Sequence, residues 1–143
     1  FHQAWQLMLL HTCARHALAC PAYVLMPDHV HLLWIGLSDS GSDQRPAIAS
    51  LRRHLRPYLS PADWQRQPHD HVLDESERER GALQGVAHYI FENPVRAGLA
   101  AHWESYEHTG CCIPGYPEFD VRSGDYWERF WRYHNYRIAK GET

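Results

Sequence analysis

The chain has 143 residues, of which 44% are hydrophobic and 22% charged, and its 14 basic and 17 acidic side chains leave a net charge of −3. This length fits one domain around one core. The composition excludes a disordered tail, a fibrous repeat and a protein with positive potential over its whole surface. Apolar stretches such as residues 30–35 are too short to span a bilayer and no secretory signal is visible, so we expect no membrane partner.

The polar and aromatic composition is biased. The chain has twelve histidines, six tryptophans and eight tyrosines, and Lys140 is its only lysine. Arginine and aromatic side chains suit phosphates and unstacked bases, but with an acidic chain any nucleic-acid surface must be local. The four cysteines contain no C-x-x-C pair, which favours reduced thiols in a cytoplasmic protein.

The first half of the chain predicts a helix followed by a β-hairpin and a second helix. Residues 1–18 have the spacing of an amphipathic helix, which Pro21 would end. Strands at 23–26 and 29–35 form a tight antiparallel hairpin, and 37–45 is a polar loop. A second helix runs from Pro46 to Arg56, and Pro57 stops it.

The second half predicts a short edge strand at 69–73, then a helix from about Glu75 to Phe91 or Glu92 that Pro94 closes. The spacing of Leu83, Val86, Ala87 and Ile90 predicts the buried stripe of this helix. Residues 108–122 are rich in glycine and proline and predict a loop, and a final helix covers about 125–139. This order of elements predicts an α+β sandwich with an antiparallel sheet.

Two histidines, His29 and His31, lie two residues apart in the second predicted strand. Because strand side chains alternate, these imidazoles share a face with Leu33 and Ile35, close enough together to hold one cation. A pair with this spacing is expected about once by chance in a chain so rich in histidine, and a second pair occurs at 69–71. The spacing alone therefore leaves open a merely polar strand face.

On the predicted helix before Pro94, Tyr89 and Asn93 lie one turn apart on the same face. Gly85 and Gly81 extend that face by two further turns. Glycine costs about 1 kcal/mol relative to alanine inside a helix, so two of them indicate that something approaches the backbone there. The alternative is an ordinary amphipathic helix with Asn93 as its C-terminal cap.

Together these features resemble a known family. Tyr23–Leu33 (YVLMPDHVHLL) and then Tyr89–Leu99 (YIFENPVRAGL) are similar to the main motifs of the REP-associated tyrosine transposases, single-tyrosine members of the HUH endonucleases. Asp70–Leu73 and Tyr126–Trp131 also look like family pieces, so the resemblance covers nearly the whole chain. It implies a ferredoxin-like sandwich with an antiparallel sheet, helices on one face and the histidine pair on a central strand.

The family has a strand ahead of its first helix, whereas this chain begins inside that helix. We therefore expect residues 1–143 to form a single domain of this type that lacks its first strand and ends in the helix at about 125–139.

The resemblance also implies roles for individual residues: His29 and His31 hold a divalent metal ion, Tyr89 is the nucleophile, and Asn93 completes the metal site. A cation on the phosphodiester oxygens draws off charge that develops in the transition state. A tyrosine hydroxyl, with an ordinary pKa of about 10, needs such help to attack at neutral pH. The expected ion is Mg²⁺ or Mn²⁺, with two imidazoles and an amide favouring Mn²⁺ somewhat. The sequence does not identify the group that accepts the tyrosine proton, and His71 is one candidate.

The activity that the resemblance implies is that of a metal-dependent single-stranded DNA endonuclease and strand transferase. It would form a 5′-phosphotyrosine intermediate on hairpin-forming repeat DNA, as a monomer or homodimer. One alternative is a non-catalytic, domesticated relative that binds structured nucleic acid, which the net charge of −3 favours slightly. A second is a histidine-rich metal-binding protein with no nucleic-acid role.

Local basic charge predicts where DNA phosphates would lie. Arg52, Arg53 and Arg56 cluster on the second predicted helix, for which a solvated helix face is the alternative. Arg96 follows the Asn93-Pro94 turn and is near enough to Tyr89 to touch a phosphate. The final helix is also basic, but its tryptophans are expected in the core.

Overall fold

The structure, a computed structural model, describes residues 2–27, 29–37, 44–59 and 80–140. Within these ranges the chain forms five helices and three strands, in the order α1 (His2–Arg15), β1 (Leu18–Leu25), β2 (Val30–Gly36), α2 (Gln44–Leu59), α3 (Arg80–Phe91), α4 (Asn93–Arg96), β3 (Thr109–Cys112) and α5 (Tyr126–Ala139). The fold is α+β with an antiparallel sheet, which confirms the predicted class. None of the described helices is long and apolar enough to cross a membrane.

The sheet has the order β2-β1-β3, and every residue of β1 is buried. Helices α3 and α5 cover one face of the sheet, where Ala22 and Val24 of β1 join their core. Helices α1 and α2 cover the other face, around Cys20, Tyr23 and Leu25. The prediction of helices on one face is therefore wrong, because a central strand that is apolar on both sides must be covered on both sides.

The position of the histidine strand also differs from the prediction. Among the strands that the structure describes, β2 pairs with β1 alone and lies at the edge of the sheet, whereas the resemblance implied a central strand. The centre is taken by β1, which hydrogen-bonds to β2 on one side and to β3 on the other.

Strand β1 begins at Leu18, five residues earlier than predicted, and contains Pro21 instead of being preceded by it. The pairing with β2 shifts register between Ala19 and Ala22, and a bulge of this kind leaves a residue outside the ladder. Proline, which has no N–H to donate, is tolerated at such a position. The carbonyl of Pro21 accepts a hydrogen bond from the buried hydroxyl of Tyr126 in α5 (2.7 Å).

Two later prolines also act differently from the prediction. Helix α2 continues past Pro57, which is exposed, while the preceding turns are held by the buried Leu51 and Leu55. Helix α3 does end at Phe91, but Pro94 lies in the first turn of the short helix α4, where its missing N–H costs nothing. The predictions that fall outside the described residues are the loop over 38–43, the strand 69–73 with His69 and His71, and the helix start near Glu75.

Strand β3 lies inside the segment 108–122 that was predicted to be a loop. Its Gly110 is opposite Tyr23 of β1, and a Cβ added there would stand 2.6 Å from the Tyr23 hydroxyl oxygen. Glycine is therefore needed at position 110 so that the Tyr23 ring can cross β3. This requirement comes from a residue 87 positions away in sequence, so the local sequence does not reveal it.

We expect Gly110→Ala to lower the free energy of unfolding by about 1–3 kcal/mol, because the new methyl group would overpack against the fully buried Tyr23. Urea denaturation measures the change. The matched control is Gly85→Ala in α3, whose added Cβ meets no atom within 4 Å among the described residues, and whose free energy of unfolding should rise by up to about 1 kcal/mol. Effects of the same sign in the two variants would contradict this explanation.

Candidate functional site

The hairpin that carries the histidine pair forms as predicted. Leu25 pairs with Val30, and the N–H of Met26 donates to the carbonyl of His29 (2.8 Å), which closes the turn directly before the pair. Leu33 packs in the core under α3, and residues 30, 32 and 34 pack on the opposite side. The predicted alternation is confirmed, so the pair belongs to the face of β2 that α3 covers.

The two imidazoles of the pair converge on one point. The Nε2 atoms of His29 and His31 are 3.0 Å apart, and the ring planes meet at 82° with centroids 4.7 Å apart. Adjacent ligands at about 2.1 Å from an octahedral cation stand about 3.0 Å apart. The spacing of the two nitrogen atoms therefore fits two neighbouring positions of one divalent cation.

His31 is half-buried, and its pKa is lowered below the ordinary value of 6.5 by burial, then by His29 and by Arg96. A neutral imidazole is the form that ligates a metal. The surroundings of His31 therefore favour its ligating form, and the positive Arg96 is one of the groups that lower its pKa.

We expect the metal-free chain to lose stability as the pH falls below about 6.5. His31 has a lower pKa in the folded state than in the unfolded state, so in this window the unfolded chain binds more protons and the free energy of unfolding decreases with falling pH. Thermal unfolding in a chelator, from about pH 7.5 to pH 5.5, measures the slope. His31→Gln should flatten it, and equal slopes in the parent chain and the variant would contradict this account.

Tyr89 lies in the last turns of α3. Leu83, Ala87 and Ile90 of this helix point into the core, as their spacing predicted, whereas the Tyr89 side chain is 61% exposed. Its hydroxyl has no hydrogen-bond partner in the described part of the chain. The structure therefore presents a phenol to solvent on the helix that packs against β1 and β2.

Arg96 connects Tyr89 to Asn93. Its Nη2 donates to the Tyr89 carbonyl (2.6 Å) and to Asn93 Oδ1 (2.8 Å), and its guanidinium carbon lies 3.8 Å from the centre of the Tyr89 ring. A guanidinium over an aromatic face is held by a cation–π attraction. Three contacts thus fix Arg96 at the end of α3.

The turn that holds Arg96 is a Schellman motif. The N–H of Gly98 donates to the Val95 carbonyl and that of Leu99 to the Pro94 carbonyl, and Gly98 adopts a φ of 76°. Tyr89, Asn93 and Arg96 have the i, i+4, i+7 spacing of one helix face, a signal present in the sequence that the prediction did not use for Arg96.

Asn93 follows Tyr89 by four residues, and its side-chain oxygen already has a partner. Oδ1 accepts from Arg96, and the buried Nδ2 has no hydrogen-bond partner among the described residues. An amide oxygen has two lone pairs, so Oδ1 keeps one with which to ligate a metal. Within the described ranges, no three His, Cys, Asp or Glu side chains group as metal ligands, so His29, His31 and Asn93 are the donor set in question.

The other predicted DNA contacts lie elsewhere. Arg52 is half-buried and Arg53 and Arg56 are exposed on α2, which covers the face of the sheet opposite to α3. The structure thus brings Arg96 to the tyrosine and does not bring the α2 cluster there. Trp131 of α5 is buried and Trp127 packs against the core, which confirms that the tryptophans of this helix are structural.

Comparisons of the chain with family models, with curated proteins and with solved structures found no match. The resemblance carried by Tyr23–Leu33 and Tyr89–Leu99 therefore stays a prediction.

Proposed function

We propose that the chain is a metal-dependent endonuclease and strand transferase for single-stranded DNA, with Tyr89 as its nucleophile. One observation carries the proposal. Two imidazole nitrogens, 3.0 Å apart, converge on the face of β2 that is covered by α3, and α3 presents an exposed phenol.

The residues present suit a divalent cation. His29 and His31 would hold it through Nε2, and Asn93 through the second lone pair of Oδ1. Imidazole and amide donors accept Mn²⁺ as well as Mg²⁺. When bound, the cation would neutralise charge on the phosphodiester oxygens and so make the phosphorus easier to attack.

The reaction is a transesterification. The Tyr89 oxygen forms a bond to the phosphorus, and the bond between the phosphorus and the 3′-oxygen breaks. The phenol loses one proton and the departing 3′-oxygen gains one, so atoms and charge balance. Because a phosphodiester replaces a phosphodiester, another 3′-hydroxyl can reverse the step and join strands without a nucleotide cofactor.

Arg96 has the position of a phosphate-binding residue. Its two hydrogen bonds use Nη2, which leaves the N–H groups on Nη1 and Nε to bind phosphate oxygens while the ring contact with Tyr89 persists. The guanidinium would then hold the phosphate beside the nucleophile.

The surface of α3 supports the approach of a strand. A Cβ added at Gly81 or Gly85 would meet no atom of the described residues within 4 Å, so toward this part of the chain the helix backbone is open where the sequence predicted a close approach. The arginines of α2 belong to the helix that covers the opposite face of the sheet, so a DNA strand that contacts both them and Tyr89 would pass around an edge of the sheet.

Incubation of the chain with single-stranded hairpin oligonucleotides and Mn²⁺ tests the proposal. We expect a covalent protein–DNA adduct that survives a denaturing gel, and we expect a chelator added beforehand to prevent it. Oligonucleotides labelled at either end show which fragment is attached to the protein. The proposal predicts attachment through a 5′-phosphate, and attachment through a 3′-phosphate would contradict it.

A second candidate is a protein that binds structured nucleic acid without cutting it. It is favoured by the hydrogen bond between Asn93 Oδ1 and Arg96, which occupies the oxygen expected to complete the metal site. This candidate predicts a mobility shift with hairpin DNA that needs no metal, and no adduct under any of the conditions above.

A further inference from the structure

We propose that Cys13 and Cys112 form a reversible oxidation site, at which a hydroperoxide converts the two thiols into a disulfide between α1 and β3. Cys13 is buried in the core under α1, and the half-buried Cys112 packs against that core. The thiol of Cys13 donates a hydrogen bond to the sulfur of Cys112. The proposal is independent of the nuclease function, because these thiols lie on the α1 face of the sheet and the His29–His31 pair lies on the α3 face.

The fold brings these two thiols together from distant parts of the chain. Helix α1 packs against β3, and Cys13 lies on the buried side of α1 with Trp5 and Leu9. Side chains alternate along a strand, and Cys111 of β3 packs against the opposite core, under α3 and α5. Cys112, the last residue of β3, is therefore the thiol of this strand that faces α1.

Cys112 has the properties of an attacking thiol. Its pKa is lowered below the ordinary value by the hydrogen bond from Cys13, an effect that outweighs the opposite effect of burial. The thiolate is the nucleophilic form of cysteine, and the partial exposure of Cys112 admits a small oxidant. The pKa of Cys13 is raised well above the ordinary value by the same hydrogen bond and then by burial, so Cys13 stays a neutral thiol.

The other two cysteines are unreactive by comparison. Cys20 is the β1 partner of Cys112, but it is fully buried, its thiol donates to the Ala22 carbonyl (3.2 Å), and burial raises its pKa. Burial also raises the pKa of Cys111 to about 12, and its thiol donates to the Phe119 carbonyl (3.6 Å). Buried thiols of this kind are inert, so oxidation should select the hydrogen-bonded pair.

The reaction has two balanced steps. The Cys112 sulfur attacks one oxygen of the hydroperoxide and the O–O bond breaks, which leaves a sulfenic acid on Cys112 and releases the other oxygen, protonated, as water or an alcohol. The Cys13 sulfur then attacks the Cys112 sulfur, the S–O bond breaks, and the hydroxide leaves as water with the Cys13 proton. The two thiols lose two electrons and the peroxide gains two. A dithiol restores both thiols by thiol–disulfide exchange.

Hydrogen peroxide added to the folded, reduced chain, followed by alkylation and tryptic mapping, tests the proposal. The mapping uses Cys111→Ser, which leaves one cysteine in the tryptic peptide 97–122, and cleavage after Arg15 separates Cys13 from Cys20. We expect a disulfide between Cys13 and Cys112 within one chain and an intact mass lower by two hydrogen atoms. The Tm should rise, because the link closes a long loop of the unfolded chain, and a dithiol should reverse all of these changes.

The variants Cys13→Ala and Cys112→Ala separate the two steps. Cys13→Ala should stop at the sulfenic acid of Cys112, which dimedone traps, whereas Cys112→Ala should lose thiols more than about 10-fold more slowly than the parent chain. Neither variant should gain Tm on oxidation, and Cys111→Ser is the control that should.

Circular dichroism checks that each variant is folded, and the mapping decides the outcome without the alanine variants. A disulfide between Cys20 and Cys112, or thiols that stay reduced in the folded Cys111→Ser chain, would overturn the proposal.

Discussion

Tyr89→Phe is expected to abolish the covalent adduct with hairpin DNA, reducing its rate by more than about 10³-fold, while DNA binding is almost unchanged. The substitution removes the attacking oxygen and little else. The hydroxyl has no hydrogen-bond partner in the described part of the chain, and a phenylalanine ring keeps the cation–π contact with Arg96. The variant should therefore fold as the parent does, with an unchanged Tm.

Tyr136→Phe is the matched control for this experiment. Tyr136 is also largely exposed, at 56%, and also lies beside a cation, Lys140, but it belongs to α5. We expect its adduct yield to equal that of the parent chain. An adduct that persists in Tyr89→Phe at the parent rate would exclude Tyr89 as the nucleophile, and an equal loss in both variants would indicate a non-specific effect of removing exposed phenols.

His29→Gln and His31→Gln are expected to lower the rate of adduct formation by about 10²-fold or more, because each removes one of two converging metal ligands. A single variant keeps one imidazole, so a large excess of Mn²⁺ should restore part of its activity, whereas the double variant should not recover. The rate is measured against Mn²⁺ concentration on denaturing gels.

His88→Gln serves as the control for the histidine variants. His88 is exposed on α3, next to Tyr89 in sequence, and lies 3.7 Å from Glu92 on its own helix. Its removal should leave the Mn²⁺ dependence of adduct formation unchanged. If His29→Gln and His31→Gln kept the parent's Mn²⁺ dependence, the metal would be bound elsewhere and the proposed site would be wrong.

The hairpin and the helix stripes could be predicted because they depend on neighbouring residues. Alternation placed His31 on the same face as Leu33, and the 3.6-residue period placed Leu83 and Ala87 in the core under α3; the structure confirms both. The period also puts Tyr89 and Asn93 on one side of the helix end. These features need no knowledge of distant parts of the chain.

Glycine and proline misled the prediction where a distant residue changes their meaning. The sequence around Gly110 predicts a loop, but the structure places this glycine in β3, where the Tyr23 ring crosses it. Pro21 was predicted to end a helix, but it lies at the register shift of β1. Their local preferences are real, but tertiary packing overrides them when a sheet offers a position that requires no side chain or no N–H donor.

The amino-acid sequence by itself determined the hairpin with its two adjacent imidazoles, the tyrosine helix and the α+β class, since periodicity and turn residues act over a few positions. Tertiary structure alone decided that helices cover both faces of the sheet and that His2 meets His108. These contacts join segments whose approach depends on how the whole core packs. The free energy of core packing is distributed over many side chains, so no short stretch of sequence determines these contacts.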